Sequence, residues 1–224
     1  MFNPQISKHH AAFKDRRDGG QQLGKKLLAY KKINPIILGL PRGGMVVAYE
    51  VAKRLKGHLE VLVVRKLGSP NNPEFAIGAI AENDTVFLDK DTIRALGISN
   101  KTLRELIEAE NEELNRRVKI YRKGKEIIPL KNKVVIIVDD GLATGATAKA
   151  SVNYVSKQKP KEIIFASPVC AYDSLQKLKS YVSKVVSILT PPQLTSISTY
   201  YESFQQTTDD DVIKLLTKKI NVDK

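Results

Sequence analysis

Two adjacent carboxylates, Asp139 and Asp140, carry the clearest chemical signal in the sequence. This acid pair follows the apolar run 134–138 and precedes a loop of small and hydroxyl-bearing residues. Ionised carboxylates only accept hydrogen bonds, so they suit the vicinal hydroxyls of a sugar. The small residues of the loop let the backbone approach a phosphate, and the start of the following helix presents unpaired N–H groups. The motif therefore predicts a site for a phosphorylated sugar.

The phosphate-binding part of this motif is the loop after the acid pair. Its residues are Ala143, Thr144, Gly145, Ala146 and Thr147. The loop lacks the lysine that ends a Walker loop and the GxGxxG spacing of a dinucleotide-binding loop. The alternative is a plain strand, turn and helix with an acidic cap. A cap needs one side-chain oxygen, and adjacent carboxylates repel each other unless a ligand or metal compensates, so we favour the ligand site.

A second loop of minimal side chains lies upstream. Arg42, Gly43 and Gly44 follow the apolar run 36–40 and precede an amphipathic segment. The Arg42 guanidinium can contact two oxygens of a polyphosphate at the start of that helix. Taken alone, the motif fits an ordinary turn before a helix equally well. It gains weight because it shares the strand-to-helix context of the acid pair.

Arg65 and Lys66 form a third candidate, directly after the apolar run 61–64. The alternative is an ordinary surface, since a strand that ends there often carries one basic residue. Two adjacent cations at a third strand end are better suited to a phosphate-rich ligand.

These motifs must be positioned by an α/β fold. Short apolar runs typical of buried parallel strands alternate with amphipathic segments typical of helices. The predicted strands are 36–40, 61–64, 134–138, 163–166 and 185–189. The predicted helices include 44–56 and 148–155, and a β-hairpin is expected at 76–81 and 85–88. The pattern predicts an open, mostly parallel, doubly wound sheet with helices on both faces, whose strand ends bring the motifs to one edge.

The whole chain, residues 1–224, is predicted to be a single domain with two additions. Residues 91–125 form a helical insertion, because 100–125 combines a narrow apolar stripe with many charges. The basic, glycine-containing end of this insertion, 121–125, is the candidate lid over the site. Residues 190–224 form a C-terminal flap, which is polar and tyrosine-bearing before a last helix that begins at 209–211.

The motifs together resemble those of the type I phosphoribosyltransferases, enzymes that use 5-phosphoribosyl 1-diphosphate (PRPP). VDDGLATGAT resembles their PRPP signature, and LPRGG resembles their pyrophosphate loop. The resemblance covers nearly the whole chain and implies the type I phosphoribosyltransferase fold with a small hood. Further motifs are similar to those of bacterial predicted phosphoribosyltransferases whose acceptor is unassigned: F-x-DR-x-D (Phe13, Asp15, Arg16 and Asp18), VVRKLG, PEFAIGAIAE and YYESF.

The resemblance implies a reaction in which a ring nitrogen of an acceptor displaces pyrophosphate from C1 of PRPP. The acid pair would hold the ribose hydroxyls, and residues 143–147 would surround the 5′-phosphate. Arg42, Arg65 and Lys66 would stabilise the departing pyrophosphate, together with Mg²⁺ held mainly by PRPP and water. The implied partners are PRPP, pyrophosphate and a small nucleobase-like heterocycle.

Several positions bear on the acceptor. Glu82 falls where the adenine enzymes of the family carry a loop glutamate, which makes it a candidate acid/base, although a hairpin-turn residue is the simpler interpretation. Ala143 stands where hypoxanthine-using relatives carry an aspartate, so this loop supplies no general base. Gly141 replaces a branched aliphatic residue, and Tyr200 replaces a tryptophan of the bacterial group. The aromatic residues of 200–204 either stack on the base or pack the flap.

The net charge of +13, from 37 basic and 24 acidic residues, favours phosphate-rich partners. It leaves open a second class of function, a PRPP-binding regulator that also binds RNA or DNA. Such a regulator would concentrate its lysines and arginines on one face, whereas here they are dispersed along the sequence. The sequence therefore favours the enzyme, and nucleic acid is not an expected partner.

The sequence also predicts where the protein acts. No apolar run approaches the roughly 20 residues that cross a bilayer. The first residues, which include His9 and His10, lack the apolar segment of a secretory signal, and Cys170 is the single cysteine. These features predict a cytoplasmic protein without membrane contact, in which Cys170 is a packed residue rather than a nucleophile. The family resemblance is compatible with a homodimer.

Overall fold

The computed structural model describes residues 11–220, which form two sheets flanked by helices. The strands are β1 (Ile36–Gly39), β2 (His58–Val61), β3 (Val64–Ser69), β4 (Asn72–Ala81), β5 (Thr85–Leu88), β6 (Val134–Val138), β7 (Glu162–Val169) and β8 (Lys184–Leu189). The α-helices are α1 (Arg16–Lys26), α2 (Gly43–Leu55), α3 (Lys90–Ala95), α4 (Asn100–Arg122), α5 (Ala146–Lys157), α6 (Tyr172–Leu178) and α7 (Asp209–Thr217). Two 3₁₀ helices span Leu28–Ile33 and Ile197–Tyr200.

The larger sheet is parallel and has the strand order β2-β1-β6-β7-β8. Strands β1 and β6 are buried over their whole length, which explains why both are continuous apolar runs in the sequence. Gly39, the last residue of β1, lies beside Val138, the last residue of β6. The loops after these two strands therefore leave the sheet at the same edge.

Both faces of the parallel sheet are covered, as predicted. Val135 and Ile137 of β6 pack with α5 and the smaller sheet, whereas Ile136 and Val138 pack with α1 and α2. The alternation follows from the two-residue period of a strand. The predicted doubly wound α/β fold is confirmed.

The smaller sheet is antiparallel, with the order β3-β4-β5. The predicted hairpin is present as β4 and β5. The predicted strand 61–64 is wrong, because the chain crosses between sheets within this run: β2 ends at Val61 and β3 begins at Val64. Residues 61–64 are buried on both sides of the crossing, so their apolar character does not reveal it.

The helical insertion 91–125 consists of α3 and α4. Helix α4 begins after Ser99, whose side chain accepts a hydrogen bond from the N–H of Thr102, and packs on the smaller sheet and α7 through Leu114 and Tyr121. Tyr121 is buried and Arg122 is bonded to Glu82, so the exposed exit begins at Lys123, two residues later than predicted. The lid function of this exit stays a prediction.

The C-terminal segment from residue 190 onward first crosses the edge of the sheet at which the loops after β1 and β6 leave it. It then leads into α7. The N–H of Phe13 donates to the carbonyl of Tyr200, and Phe13 pairs with Tyr201, so this segment is joined to the start of α1. Helix α7 packs on α2 and α4, and a reciprocal cap between Thr208 and Asp211 fixes its start. The predicted flap is therefore anchored at both ends.

The prediction that the chain lacks a secretory signal concerns its first residues. The first ten residues, with His9 and His10, lie outside the described residues. None of the helices within residues 11–220 has both the length and the apolar character needed to cross a membrane.

Candidate active site

The acid pair lies where β6 leaves the parallel sheet. The N–H of Asp139 still donates to the carbonyl of Ala166 on β7, at 3.2 Å, and Asp140 is the first residue beyond this ladder. The N–H of Asp140 donates to Oδ1 of Asp139, at 2.8 Å. Tyr201, from the C-terminal segment, donates its hydroxyl to the carbonyl of Asp140, at 2.7 Å. These bonds fix two neighbouring carboxylates at the edge of the sheet.

The environment of Asp139 disfavours its ionised form. Loss of solvent, followed by the negative charge of Asp140, raises the pKa of Asp139 well above its usual range. The bonded N–H of Asp140 and the positive charge of Arg16 act in the opposite direction. A ligand that brings hydroxyl donors or positive charge to the acid pair would therefore stabilise its ionised form.

Arg16, the first residue of α1, is a site residue to which the sequence analysis assigned no role. Its Nε donates to Oδ2 of Asp140, at 2.6 Å, and its Nη1 donates to the carbonyl of Gln205, at 2.7 Å. The guanidinium carbon lies 3.5 Å from the ring centroid of Phe204. The F-x-DR-x-D motif contained the signal, but its partner lies 124 positions away in the chain.

The loop after the acid pair is anchored underneath and open above. The N–H of Leu142 donates to the carbonyl of Val169, and the hydroxyl of Ser174 donates to the carbonyl of Ala143. Gly145 has a positive φ of 84°, a conformation that favours glycine, and it precedes α5 without a side-chain cap. The first N–H groups of α5 are therefore available to an anion beside the exposed Thr144.

The acid pair and this loop line one cavity of about 640 Å³. The predicted residues Ala143, Thr144, Gly145 and Thr147 lie in its wall, and Lys66 of β3 faces them. Ala146 begins α5 directly behind the wall. The structure adds residues 194–198, Phe204 and Arg16, which close the cavity from the C-terminal segment and α1.

The glycines of the second loop bring it against the acid pair. A Cβ atom on Gly44 would lie 2.8 Å from Oδ1 of Asp139, and one on Gly43 would collide with Oδ2 of Asp140. Only glycine permits this approach. Arg42 precedes α2 after a cis peptide bond with Pro41, and none of Arg42, Gly43 and Gly44 is among the residues that line the cavity.

A family profile described as a phosphoribosyl transferase domain matches residues 5–202 of the sequence. The chain belongs to this family. The resemblance drawn from the sequence motifs is thereby confirmed at the level of the phosphoribosyl transferase domain.

Solved structures support the same placement of this phosphoribosyl transferase domain. The crystal structure of TT1426 from Thermus thermophilus is similar, with 36% identity, a TM-score of 0.76 and coverage of 91% of this chain and 97% of that chain. AQ2163 of Aquifex aeolicus, at 11% identity and a TM-score of 0.53, covers 84% of this chain and 85% of its own, and it shares the fold alone.

Two curated proteins of Mycobacterium tuberculosis, from strains CDC 1551 and H37Rv, carry provisional descriptions as phosphoribosyl transferases. Each is 39% identical over 206 residues, which is 92% of this chain and 46% of the relative. The chain therefore spans about half the length of these curated relatives.

Within this phosphoribosyl transferase domain, Arg65 does not reach the cavity. Because Arg65 and Lys66 are successive residues of β3, their side chains point to opposite faces. Lys66 lines the cavity, whereas Nε of Arg65 donates to Oε2 of Glu110 on α4, at 2.7 Å. The sequence predicted a strand end at this position, where both cations would have been free to turn toward one ligand.

Glu82 does not reach the cavity either. Its side chain is buried, accepts from the N–H of Val63 at 2.8 Å, and accepts from Nη2 of Arg122 at 2.8 Å. Burial raises the pKa of Glu82, against the opposing effect of Arg122. The structure thus places the candidate acid/base in a buried ion pair between the hairpin turn and the end of α4.

Proposed function

We propose that this domain transfers the phosphoribosyl group of PRPP to a nitrogen of a nucleobase-like heterocycle and releases pyrophosphate. The observation that carries the proposal is a single cavity that holds two adjacent carboxylates, an uncapped helix start and two cationic side chains, Arg16 and Lys66. A sugar that carries phosphate at both ends has hydroxyl donors for the first feature and negative charge for the others.

The residues of the cavity suit distinct parts of PRPP. The acid pair accepts hydrogen bonds from the ribose hydroxyls, and the N–H groups at the start of α5, with Thr144 and Thr147, donate to the 5′-phosphate. Lys66 lines the same cavity, where its positive charge would stabilise the departing pyrophosphate, and Gly43 and Gly44 hold the second loop against the acid pair. Once the ribose hydroxyls donate to the acid pair and favour its ionisation, its negative charge would stabilise the positive charge that develops on the ribose as the bond at C1 breaks.

The donor set of the cavity also fits Mg²⁺. The acid pair offers carboxylate oxygens, which this cation prefers, and no group of three or more His, Cys, Asp or Glu within residues 11–220 could form a complete cage. A cation held by one or two carboxylates, substrate phosphates and water matches this arrangement. When bound, Mg²⁺ would neutralise charge on the diphosphate. Asp139 is the better placed of the two ligands, because Asp140 already pairs with Arg16.

The C-terminal segment is the side of the cavity that suits the acceptor. Leu194, Ile197 and Phe204 offer apolar surface to a flat ring, and the hydroxyls of Ser196 and Ser198 can bond to its edge. Among the lining residues in the described part of the chain, the carboxylates are those of the acid pair. This composition favours an acceptor whose reacting nitrogen loses its proton to PRPP oxygens or water rather than to a protein base.

The experiment that tests this function is an assay of pyrophosphate release. The protein, PRPP and Mg²⁺ are incubated with a panel of purine, pyrimidine and other nitrogen heterocycles. We expect at least one acceptor to support release, and we expect the double variant Asp139→Asn/Asp140→Asn to lose it while remaining folded, as a cooperative melting curve will show. Asp173→Asn, which removes an exposed carboxylate from α6, is the matched control and should keep full activity. Retained turnover in the double variant would contradict the proposed role of the acid pair.

A further inference from the structure

A second cavity, of about 600 Å³, lies far from the acid pair, between α1, the following 3₁₀ helix and α2. We call this second cavity the groove. Helix α2 begins beside the acid pair at Gly43, and Lys53, which lines the groove, lies about 15 Å further along the helix axis. Nothing in the proposed transfer reaction uses this groove.

The groove has an uneven charge. Five basic side chains line it, and the accompanying carboxylate is Glu50; the basic residues are Lys25, Lys31, Lys53, Arg54 and Lys56. They come from separate elements, which bring them together around one opening. Lys25, Lys31, Lys53 and Arg54 form no ion pair with any residue in the described part of the chain. Such a set attracts a ligand with several negative charges.

Glu50 indicates what else the ligand must offer. The residue is only 9% exposed, yet it lines the groove and has one long contact, with the amide nitrogen of Gln21 at 3.5 Å. A buried carboxylate normally has hydrogen-bond donors around it. A phosphate oxygen next to Glu50 would be repelled, so the ligand should place an N–H or O–H group there.

The walls of the groove are closely packed. A Cβ atom on Gly20 would lie 2.8 Å from the carbonyl oxygen of Val47, and one on Gly24 would lie 3.0 Å from Cβ of Arg54. The two glycines thus allow α1 and α2 to lie against each other below the opening. Most of the side chains that line the groove are exposed, and its volume lies within the range of small-molecule sites.

We propose that this groove binds a nucleotide that carries two or more phosphate groups. The phosphates contact the basic side chains of α1, the 3₁₀ helix and α2, and a ribose hydroxyl or a base N–H donates to Glu50. A nucleotide combines both chemistries at the observed size, whereas inorganic polyphosphate lacks the donor. The proposal does not depend on the transfer reaction, because it uses none of the residues of the cavity at the acid pair.

Calorimetry on the full chain, with ADP and with inorganic tripolyphosphate as probes, tests the site. We expect the variant Lys53→Gln/Arg54→Gln to weaken ADP binding by about tenfold or more, since each bond to a charged group contributes about 1.5–3 kcal/mol. The control Lys101→Gln/Arg104→Gln removes an exposed Lys and Arg from α4 and should change the affinity less than twofold. The acid-pair variant Asp139→Asn/Asp140→Asn should also leave ADP binding at the groove unchanged.

Glu50→Gln separates a nucleotide site from a plain phosphate site. We expect this variant to weaken ADP binding and to strengthen tripolyphosphate binding, because it removes both the acceptor and the negative charge. Melting temperatures check that each variant is folded. The proposal is overturned if ADP does not bind at millimolar concentration, if the groove variant binds ADP as well as the wild type, or if tripolyphosphate binds as tightly as ADP and Glu50→Gln changes neither.

Discussion

Arg16 connects three parts of the chain at one point. It starts α1, pairs with Asp140 after β6, and contacts Phe204 and the carbonyl of Gln205 in the C-terminal segment. The ion pair with Asp140 is only partly exposed, with 11% and 19% of the two side chains accessible. A charge pair in this position orients Asp140 and adds positive charge to the wall that PRPP would contact.

We therefore predict that Arg16→Met raises the KM for PRPP by about tenfold or more, because it removes charge-assisted hydrogen bonds. Arg17→Met is the matched control, since Arg17 is the exposed neighbour on the same helix and loses the same charge. Steady-state kinetics with varied PRPP measure both effects. Equal KM values for the two variants would show that only net charge matters.

The raised pKa of Asp139 makes a prediction about stability. A carboxyl whose folded pKa lies above its unfolded value of 3.8 binds its proton more tightly in the folded state. Its ionisation therefore costs stability as pH rises from about 3.8 through the folded pKa, and below 3.8 there is no cost. We expect ligand-free Asp139→Asn to gain stability relative to the wild type as pH increases.

Urea unfolding of the wild type and Asp139→Asn at pH 4 and pH 7.5 measures this difference. Asp173→Asn is the reference variant, because the side chain of Asp173 is exposed. A change at a buried side chain such as that of Thr207 would itself alter stability. A stability difference that is the same at both pH values would contradict the raised pKa.

At the scale of single residues, the sequence predicted the position of site residues whose neighbours in the chain belong to the same site. Asp139, Asp140 and the loop 143–147 are contiguous, so their placement at one strand end followed from one apolar run. Arg16 could not be placed in the same way, because its contact with Asp140 depends on how α1 docks on the finished sheet. The roles of all these residues in catalysis remain predictions.

Elements meet at the ion pair between Glu82 and Arg122, which joins the hairpin turn to the end of α4. Arg122 also donates to the carbonyl of Val61, at 3.0 Å, at the end of β2. Removal of one partner from such a buried pair leaves the other charge without compensation. This contact therefore stabilises the attachment of the helical insertion to both sheets.

We predict that Glu82→Gln lowers the free energy of unfolding by about 3 kcal/mol and leaves kcat unchanged. Chemical denaturation and pyrophosphate release measure the two effects. Glu105→Gln breaks an exposed pair with Lys101 on α4, 4.0 Å apart, and should change stability by less than about 1 kcal/mol. A large loss of kcat in stable Glu82→Gln would restore the acid/base role suggested by the sequence.

The loop after the acid pair and the C-terminal segment meet at Gly141. Three side-chain atoms of Ile197 occupy the space of a Cβ at this position, with Cγ1 at 2.5 Å. The C-terminal segment thus fills the space that a side chain at position 141 would need. The two positions should therefore be coupled.

We predict that Gly141→Val destabilises the protein by about 2 kcal/mol through overpacking and that the added change Ile197→Ala recovers part of the loss. Melting curves of the single and double variants form a double-mutant cycle. Ala143→Val, at an exposed position of the same loop, should have little effect on stability. Additive effects of the two changes would show that Ile197 does not fill this space.

Among the elements, β1 and β6 could be predicted because each is an unbroken apolar run, and α2 and α5 because each has one apolar face with a helical period. The boundary between β2 and β3 could not, because residues 61–64 are all buried and their apolar run is unbroken. This missed crossing also explains the position of Arg65. A strand end would have left Arg65 and Lys66 together, but a continuing strand separates them.

At the scale of the molecule, the residues behind the net charge of +13 include two separate sets of basic side chains. Basic side chains collect in the groove of α1 and α2 and, separately, around the acid pair, where each set lines a cavity of limited size. Small phosphorylated ligands match this distribution better than RNA or DNA does.

We predict that the protein binds a 20-nucleotide RNA or DNA only weakly, with a Kd of about 10⁻⁶ M or higher at 150 mM salt. Fluorescence anisotropy at several salt concentrations measures the affinity and its salt dependence. Nanomolar binding that competes with PRPP would instead support the regulator considered from the sequence.

Cys170 provides a built-in reporter of the floor beneath the proposed ribose site. It is fully buried, burial raises the pKa of its thiol to about 11, and its backbone pairs with Leu142 of the loop. Because the sequence contains one cysteine, any reaction with a thiol reagent identifies this position without ambiguity. The rate of that reaction measures how often the structure around Cys170 opens locally. A ligand bound in the cavity should therefore slow the labelling of Cys170.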